Sequence, residues 1–337
     1  MTKGYDIMKS NLEYVFRAVL EAVAVGDAMG LATEGKTREE INRLYPKIDG
    51  LLPMDAESSR KDEVPGTITD DMGQNLYLIL AYLNDRRITI ENSVTALQNW
   101  VDETNGDRFM GPSSRRALLA IQNGESVYTA GKSGTSCGAV MRMPSVTLCS
   151  NLHNTDQLDD AIACACVPTH NTSLALVPAF AYAYALREAL LGGSMDNIVS
   201  TAIRIAEKKQ ASMDYVIAGP SCAKRLAKIR AEMPSYADEE DFMDTMYSVY
   251  GTTLASIETF TTVMAIFMYC GDDVYRAIRI AVGIGGDTDS IAALAGALCA
   301  AYASGHNIPQ GIIDTISEVN GLDCGKLAHD IVKTFQM

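Results

Sequence analysis

Basic residues are scarce in this sequence. Its 337 residues include 28 Lys and Arg against 42 Asp and Glu, which gives a formal net charge of −14. Nucleic acids and anionic membranes bind proteins through clustered Lys and Arg, so a chain this acidic is a poor candidate for either partner. Apolar residues make up 47% of the chain. That share excludes disorder as the main state, because disordered chains are too poor in apolar residues to offset the entropy lost on folding.

Long apolar runs are also missing. The N-terminus has no stretch of signal-peptide type, and no segment offers the roughly 20 uninterrupted apolar residues that a membrane span needs. The nearest segment, 162–186, is interrupted by the polar run 169–173. These absences predict a soluble, cytoplasmic protein with no membrane partner.

The eight cysteines lack the spacing of secreted, disulfide-rich domains. Cys164 and Cys166 lie two positions apart, and no second pair is near enough to complete a zinc site. We therefore predict eight free thiols, most of them buried.

Flexible linkers, repeats and alternating strand patterns are absent as well. Apolar residues instead recur every three or four positions in 12–23, 72–83 and 291–298, the spacing of one helical face. The pattern predicts further helices at 90–101, 115–122, 156–167, 174–191, 197–208, 214–231, 239–249, 255–269, 272–282 and 311–318. We expect an all-α protein with one domain over residues 1–337.

The longest stretch without a helical pattern runs from Gly124 to Gly138. Its Gly, Ser and Thr residues would let the backbone approach a ligand closely. Loops of this length in compact domains are often functional, although a surface loop without function has the same composition.

Two predicted helices begin with an excess of oxygen-bearing side chains. Thr69, Asp70 and Asp71 open one, and the segment 287–290, Asp-Thr-Asp-Ser, opens the other. Such residues are common helix caps, so each start alone has a structural explanation. Each helix is otherwise apolar, however, and no Lys or Arg lies within a turn to pair with the acids. If the two starts meet, their carboxylates would repel each other unless hard cations such as Mg²⁺, Mn²⁺ or Ca²⁺ were bound.

Two further features have simple structural explanations. In the segment 26–30, Gly-Asp-Ala-Met-Gly, either glycine would end the first helix. His170, beside Thr169 and Asn171, has the surroundings of a hydrogen-bonding residue near a helix end, although its chemistry also suits a catalytic role.

Taken together, these motifs resemble the ADP-ribosylglycohydrolase family, of the dinitrogenase-reductase-activating glycohydrolase type. The matches are collinear and span about residues 14–310. They comprise GDAMG at 26–30, TDD at 69–71, GPSSRRAL at 111–118, CGAVMRMP at 137–144, TH at 169–170, GGDTDSIAALAGAL at 285–298 and IP at 308–309. The resemblance implies a compact orthogonal helical bundle with a cleft that holds two Mg²⁺ or Mn²⁺ ions.

The resemblance also implies roles for individual residues. The implied metal ligands are Thr69, Asp70, Asp71, Asp287, Asp289 and Ser290. Asp27 would order water at the metal centre, and Glu34 would gate or assist the cleft. The implied substrate-binding residues, in and near the loop 133–142, are Gly134, Ser136, Cys137, Gly138 and His170.

The implied activity is hydrolysis of the bond between ADP-ribose and an acceptor, either a protein side chain or a small molecule. Asp27, Glu34 or Asp70 would accept a proton from the attacking water. The sequence departs from the family pattern at two positions: Met72 follows TDD where Thr is common, and Cys137 stands where many ADP-ribose-cleaving members have Asn. The departure at Cys137 concerns the ligand. Cys137 motivates an alternative substrate, such as another small N-glycoside or a guanidine or amide metabolite. A non-catalytic, ADP-ribose-binding or crystallin-like protein is a further alternative.

Overall fold

The architecture comes from a computed structural model that describes residues 2–213 and 216–336. Almost all of its regular structure is helical, and across those two ranges the only strand-like pairing is an isolated bridge between Ser136 and Ala255. The α-helices are α1 Thr2–Gly30, α2 Arg38–Leu44, α3 Asp70–Asp85, α4 Ile90–Thr104, α5 Pro112–Gln122, α6 Met143–Leu148, α7 Thr155–His170, α8 Ser173–Leu190, α9 Met195–Ser212, α10 Cys222–Glu232, α11 Glu239–Thr245, α12 Ser256–Cys270, α13 Val274–Gly283, α14 Thr288–Ala303, α15 Gln310–Asn320 and α16 Cys324–Phe335. The all-α prediction is confirmed.

Most predicted helices are present within a few residues of their expected bounds. The helix expected at 214–231 begins only at Cys222, and residues 214 and 215 lie outside the described part of the chain. The segment expected to be helical to 249 changes to a π-helix at Met246–Tyr250. The pattern missed α2, α6 and α16.

The core surrounds helix α14, whose residues are nearly all buried. Its many alanines allow α1, α8, α12 and α13 to pack against it from different sides. The hydroxyl group of Tyr182 in α8 donates to the carbonyl of Leu294, 2.8 Å away, so even a polar atom at the centre has a partner. All eight cysteines are free thiols, and all but the half-buried Cys164 are buried. No described helix has both the length and the apolar character needed to cross a bilayer.

Helices α1 and α14 touch backbone to backbone. A Cβ atom on Gly26 would lie 2.4 Å from the backbone of Ala292, and one on Gly30 would lie 2.3 Å from the Cα atom of Asp289. Helix α1 continues through Gly26 and ends at Gly30. Of the two glycines expected to end the helix, Gly30 does so, whereas Gly26 lies within it, where its missing side chain is needed for contact between the helices. This contact brings the acidic start of α14 against Asp27.

The longest irregular stretch is not the one that the sequence suggested. Residues 45–69, between α2 and α3, contain no helix and are longer than the segment 124–138, part of which forms a short 3₁₀ turn at Ala130–Ser133. Long structured loops in compact proteins often carry functional residues, and this one reaches the acidic helix starts.

The contact between α1 and α14 predicts an effect of adding one methyl group. We expect Gly26→Ala to lower the free energy of unfolding by about 2–3 kcal/mol, because the new Cβ atom would meet backbone atoms that cannot rotate away. Denaturant unfolding followed by circular dichroism measures the change.

A matched control is Gly311→Ala in helix α15, where nothing lies within 4 Å of the added Cβ atom. This variant should be as stable as the unaltered protein or more stable by up to about 1 kcal/mol, because Ala favours helix more than Gly does. Equal effects at both positions would contradict the proposed close contact.

Candidate metal centre and cleft

The start of helix α3 is held by an acid from another helix. Thr69, in the N-cap position, makes no side-chain cap to its own helix. Asp27 of α1 caps this helix instead. Its carboxylate accepts hydrogen bonds from the Thr69 backbone N–H at 2.9 Å, the Thr69 hydroxyl at 2.7 Å and the Met72 N–H at 2.8 Å. Both oxygens of Asp27 therefore already accept hydrogen bonds. Asp27 fixes the position from which Asp70 and Asp71 extend.

The start of helix α14 is positioned by a turn of two glycines. Gly285 and Gly286 have φ values of +86° and +82°, a region that favours glycine. A Cβ atom on Gly286 would lie 2.2 Å from the Thr252 carbonyl, which accepts a hydrogen bond from the Asp287 N–H at 2.7 Å. Only glycine fits this turn, which explains why two glycines precede Asp287 in the motif.

The two helix starts meet, as the sequence argument required. The Ser290 hydroxyl donates to Asp71 Oδ2 at 3.0 Å. Asp27, Asp71 and Asp289 each direct an oxygen into one space, with these atoms within 4.8 Å of one another. Asp71 Oδ1 is buried and has no hydrogen-bond partner among the described residues. A partnerless buried carboxylate oxygen is costly, so this space fits a cation with oxygen ligands.

The carboxyl groups raise one another's pKa values. Burial, followed by the charges of neighbouring acids, raises the pKa of Asp70 to about 8. Burial and the Glu34 charge raise the pKa of Asp287 to about 7. Burial is also the main cause that raises the pKa of Asp27 to about 6, and it raises the pKa values of Asp71 and Asp289. A bound cation would reverse this trend by favouring the ionised forms.

The acids form the floor of a cleft with a volume of about 200 Å³. Of the residues that the resemblance implied, those lining the cleft are Glu34, Asp70, Asp71, Ser136, Cys137, Gly138, Asp287, Asp289 and Ser290. Asp27 and Thr69 are buried beneath the floor. His170 is fully buried and contacts the wall through Ser136, whose hydroxyl lies 2.9 Å from Nε2 of His170.

The loop that forms one wall packs tightly on the end of helix α7. A Cβ atom on Gly134 would lie 2.3 Å from the Thr169 carbonyl, and one on Gly138 would lie 2.5 Å from the His170 ring. The Gly134 carbonyl also accepts a hydrogen bond from the Thr172 hydroxyl at 2.6 Å. These glycines allow the loop to approach the end of helix α7 closely. This contact fixes Ser136 and Cys137 in the cleft wall.

Cys137 lies beside the acidic cluster. Its sulfur is 3.6 Å from the Ser290 hydroxyl oxygen, and the side chain is 5% exposed. Burial and the nearby carboxylates raise the pKa of this thiol well above its ordinary value. The thiol therefore presents a weak donor to the cleft where an Asn amide would present stronger donors and an acceptor.

Three charged or aromatic residues that line the cleft were missed by the sequence analysis. Arg60, from the irregular stretch 45–69, forms an ion pair with Glu34. Arg108 and Phe109 also line the cleft, and both guanidinium groups lie over the Phe109 ring, at 5.4 Å for Arg60 and 4.4 Å for Arg108. No local pattern marks these residues, because only the tertiary fold brings them to the acids.

This combination of an all-α fold and paired acidic helix starts defines a family of hydrolases. The chain belongs to the ADP-ribosylglycohydrolase family, whose sequence profile matches residues 8–337.

Several proteins are similar over nearly their whole length. An uncharacterized protein of Archaeoglobus fulgidus is 30% identical over 310 residues, which is 91% of this chain and 93% of that protein. The uncharacterized protein YegU of Escherichia coli (strain K12) is 29% identical over 317 residues, covering 92% and 94% of the two chains. A solved structure described as an ADP-ribosylglycohydrolase-related protein complex has the same fold, with a TM-score of 0.70 at 21% identity over 96% of this chain and 99% of that one.

The raised pKa values predict how stability depends on pH. Burial and neighbouring charges raise the pKa values of Asp27, Asp70 and Asp287 to about 6, 8 and 7 in the folded protein, well above the ordinary pKa of an aspartate. The folded state therefore binds more protons, and the stability that these groups contribute is lost as the pH rises through their folded pKa values. Without divalent ions, we expect the Tm to fall between pH 6 and pH 8, with about 2 kcal/mol lost through Asp70 alone.

Scanning fluorimetry in EDTA at pH 6, 7 and 8 measures this change. Asp70→Asn should flatten the slope, because it removes a carboxyl group whose raised pKa of about 8 keeps it titrating over this range. Mg²⁺ should also flatten the dependence of Tm on pH. Cations bind the ionised carboxylates of the folded state more tightly at higher pH, and this binding offsets the lost stability. A Tm that stays constant from pH 6 to pH 8 in EDTA would contradict this electrostatic account.

Proposed function

We propose that this protein hydrolyses the glycosidic bond at C1 of the ribose in an ADP-ribosyl group linked to a protein side chain or a small molecule. The observation that carries the proposal is the convergence of buried carboxylates from two distant helix starts in one cleft. Membership of the ADP-ribosylglycohydrolase family supports the class of substrate.

The donor set supports a centre of two Mg²⁺ or Mn²⁺ ions. The proposed ligands, all with oxygen atoms, are Thr69, Asp70, Asp71, Asp287, Asp289 and Ser290. Bound ions would supply positive charge that orients the ribose hydroxyls and lowers the pKa of nearby water. Asp71 Oδ1 is the atom that most needs such an ion, since it is buried without a partner among the described residues.

The geometry favours Asp70 as the group that accepts the proton of the attacking water. Both oxygens of Asp27 are occupied by the start of α3. Glu34 is held in an ion pair with Arg60. Asp70 lines the cleft, and among the described side chains it accepts a hydrogen bond only from that of Gln74, whose Nε2 lies 3.4 Å from Oδ2. Of the three acids, Asp70 is thus the one that lines the cleft without an ion pair and without capping another helix.

The activity is tested by measuring release of ADP-ribose from ADP-ribosylated arginine, serine and small-molecule substrates. We expect turnover with Mg²⁺ or Mn²⁺ and none in excess EDTA. Asp289→Asn should reduce the rate by about 100-fold or more. Loss of a residue that only supports a metal ligand costs about 10- to 100-fold in activity, and loss of a ligand should cost at least as much.

The matched control for Asp289→Asn is Asp272→Asn, which changes an exposed acid outside the cleft. Its rate should equal that of the unaltered protein. Full activity in excess EDTA, or in Asp289→Asn, would contradict a metal-dependent mechanism.

Cys137 favours a second candidate, in which the same acids act on another small N-glycoside or on a guanidine or amide metabolite. A buried thiol beside Ser290 gives a ligand few strong hydrogen bonds at this point of the wall. Thermal-shift measurements with ADP-ribose, ribose 5-phosphate and free nucleosides distinguish the two candidates. Stabilisation by a nucleoside but not by ADP-ribose would favour the second one.

A further inference from the structure

Helix α6 is preceded by an arginine that is completely buried without a carboxylate partner. Arg142 is 0% exposed. Its guanidinium donates to Gln74 Oε1 at 2.9 Å, Thr169 Oγ1 at 2.6 Å, Ser114 Oγ at 2.8 Å and the Ala165 carbonyl at 3.4 Å. These are its four hydrogen-bond partners in the described part of the chain, and all four are neutral. Burying a charge among neutral partners is costly, so each of these hydrogen bonds constrains its acceptor strongly.

One branch of this network has a fixed direction. An arginine can only donate, so the Thr169 hydroxyl oxygen accepts from Arg142. The Thr169 proton needs an acceptor because the residue is fully buried, and His170 Nδ1 lies 2.8 Å away. Nδ1 therefore carries no proton. The neutral His170 ring has its proton on Nε2, from which it donates to the Ser136 oxygen at 2.9 Å.

A second branch ends in the same cleft. Arg142 donates directly to the Ser114 hydroxyl oxygen at 2.8 Å. Ser114 and Ser136 both line the cleft. Each oxygen accepts a hydrogen bond from behind the wall, so each hydroxyl proton is left for a partner inside the cleft. The cleft wall thus offers hydrogen-bond donors at Ser114 and Ser136 without placing a formal charge at the surface there.

We infer that Arg142 is a positioning residue that directs the hydroxyl groups of Ser114 and Ser136 to donate to an anionic oxygen of the ligand. This inference rests on the proposed function, in which the group with such oxygens is the diphosphate of the ADP-ribosyl unit. The two directed protons favour acceptor oxygens on the ligand over a cationic group, which has no acceptor for them.

The hydrogen bonds that run from Arg142 through Thr169 and His170 to Ser136 form a relay. Thr169→Val tests this relay while keeping the shape of the side chain. It removes the hydroxyl that holds His170 Nδ1 as an acceptor, whereas the control Thr169→Ser keeps that hydroxyl. The ring protonation of His170 is read by ¹⁵N NMR of histidine-labelled protein, and His170→Asn identifies the signals. We expect the Nε2–H form in the unaltered protein and in Thr169→Ser, and a mixture of both neutral forms in Thr169→Val.

Calorimetric titration with ADP-ribose in Mg²⁺ gives the second measurement. We expect Thr169→Val and Ser136→Ala each to bind about tenfold more weakly, as for one lost hydrogen bond to a charged group. The double variant should bind no more weakly than Ser136→Ala, because both changes remove the same donor. Thr169→Ser should bind as the unaltered protein does.

Two results would overturn the inference: a proton on Nδ1 in the unaltered protein, or unchanged ADP-ribose affinity in Thr169→Val. If ADP-ribose does not bind the unaltered protein at all, the proposed function fails instead. The relay is then judged with pyrophosphate, which carries the same acceptor oxygens. Pyrophosphate binding that weakens in Thr169→Val supports it, and no pyrophosphate binding overturns it.

Discussion

The close contact between helices α1 and α14 is the constraint on which the rest of the site depends. Two glycines one turn apart in α1 let the backbones meet, with Gly30 directly against Asp289. A side chain at either position would separate the helices and move Asp27 away from the acids of α14. The sequence therefore uses backbone contact, which cannot adjust by rotation of a side chain, to hold like charges together.

The acidic cluster serves the fold and the chemistry at once. Asp27 uses both oxygens to cap helix α3, and this cap in turn aims Asp71 at Ser290. In most proteins a helix is capped by its own N-cap residue, which can be replaced without disturbing a distant site. Here the cap comes from α1, so the position of α3 and the geometry of the candidate metal centre cannot be changed independently.

The sequence was sufficient to predict the helices with long apolar periods and the two acidic starts, because both signals are local. It was insufficient for α2 and α6, which have 7 and 6 residues and so complete too few turns to show a period. The arrival of Arg60 and Phe109 at the cleft is likewise a tertiary result. The direction of the hydrogen bonds at His170 depends on Arg142, which donates to the neighbouring Thr169. The sequence does not show that Arg142 and Thr169 are in contact.

The arrangement of charge in the cleft bears on how an acidic floor would accept the anionic ligand of the proposed function. Carboxylates alone would repel a diphosphate. The structure places positive charge in two other positions. Arg60 and Arg108 line the cleft around Phe109, and Arg142 is buried behind the cleft wall. Arg60 and Arg108 are balanced by Glu34 and Glu63, whereas Arg142 has only neutral hydrogen-bond partners among the described residues. The charge of Arg142 is therefore the one left without an ion pair, and the proposed route by which it acts on the cleft is through hydroxyl groups such as that of Ser114, to which it donates.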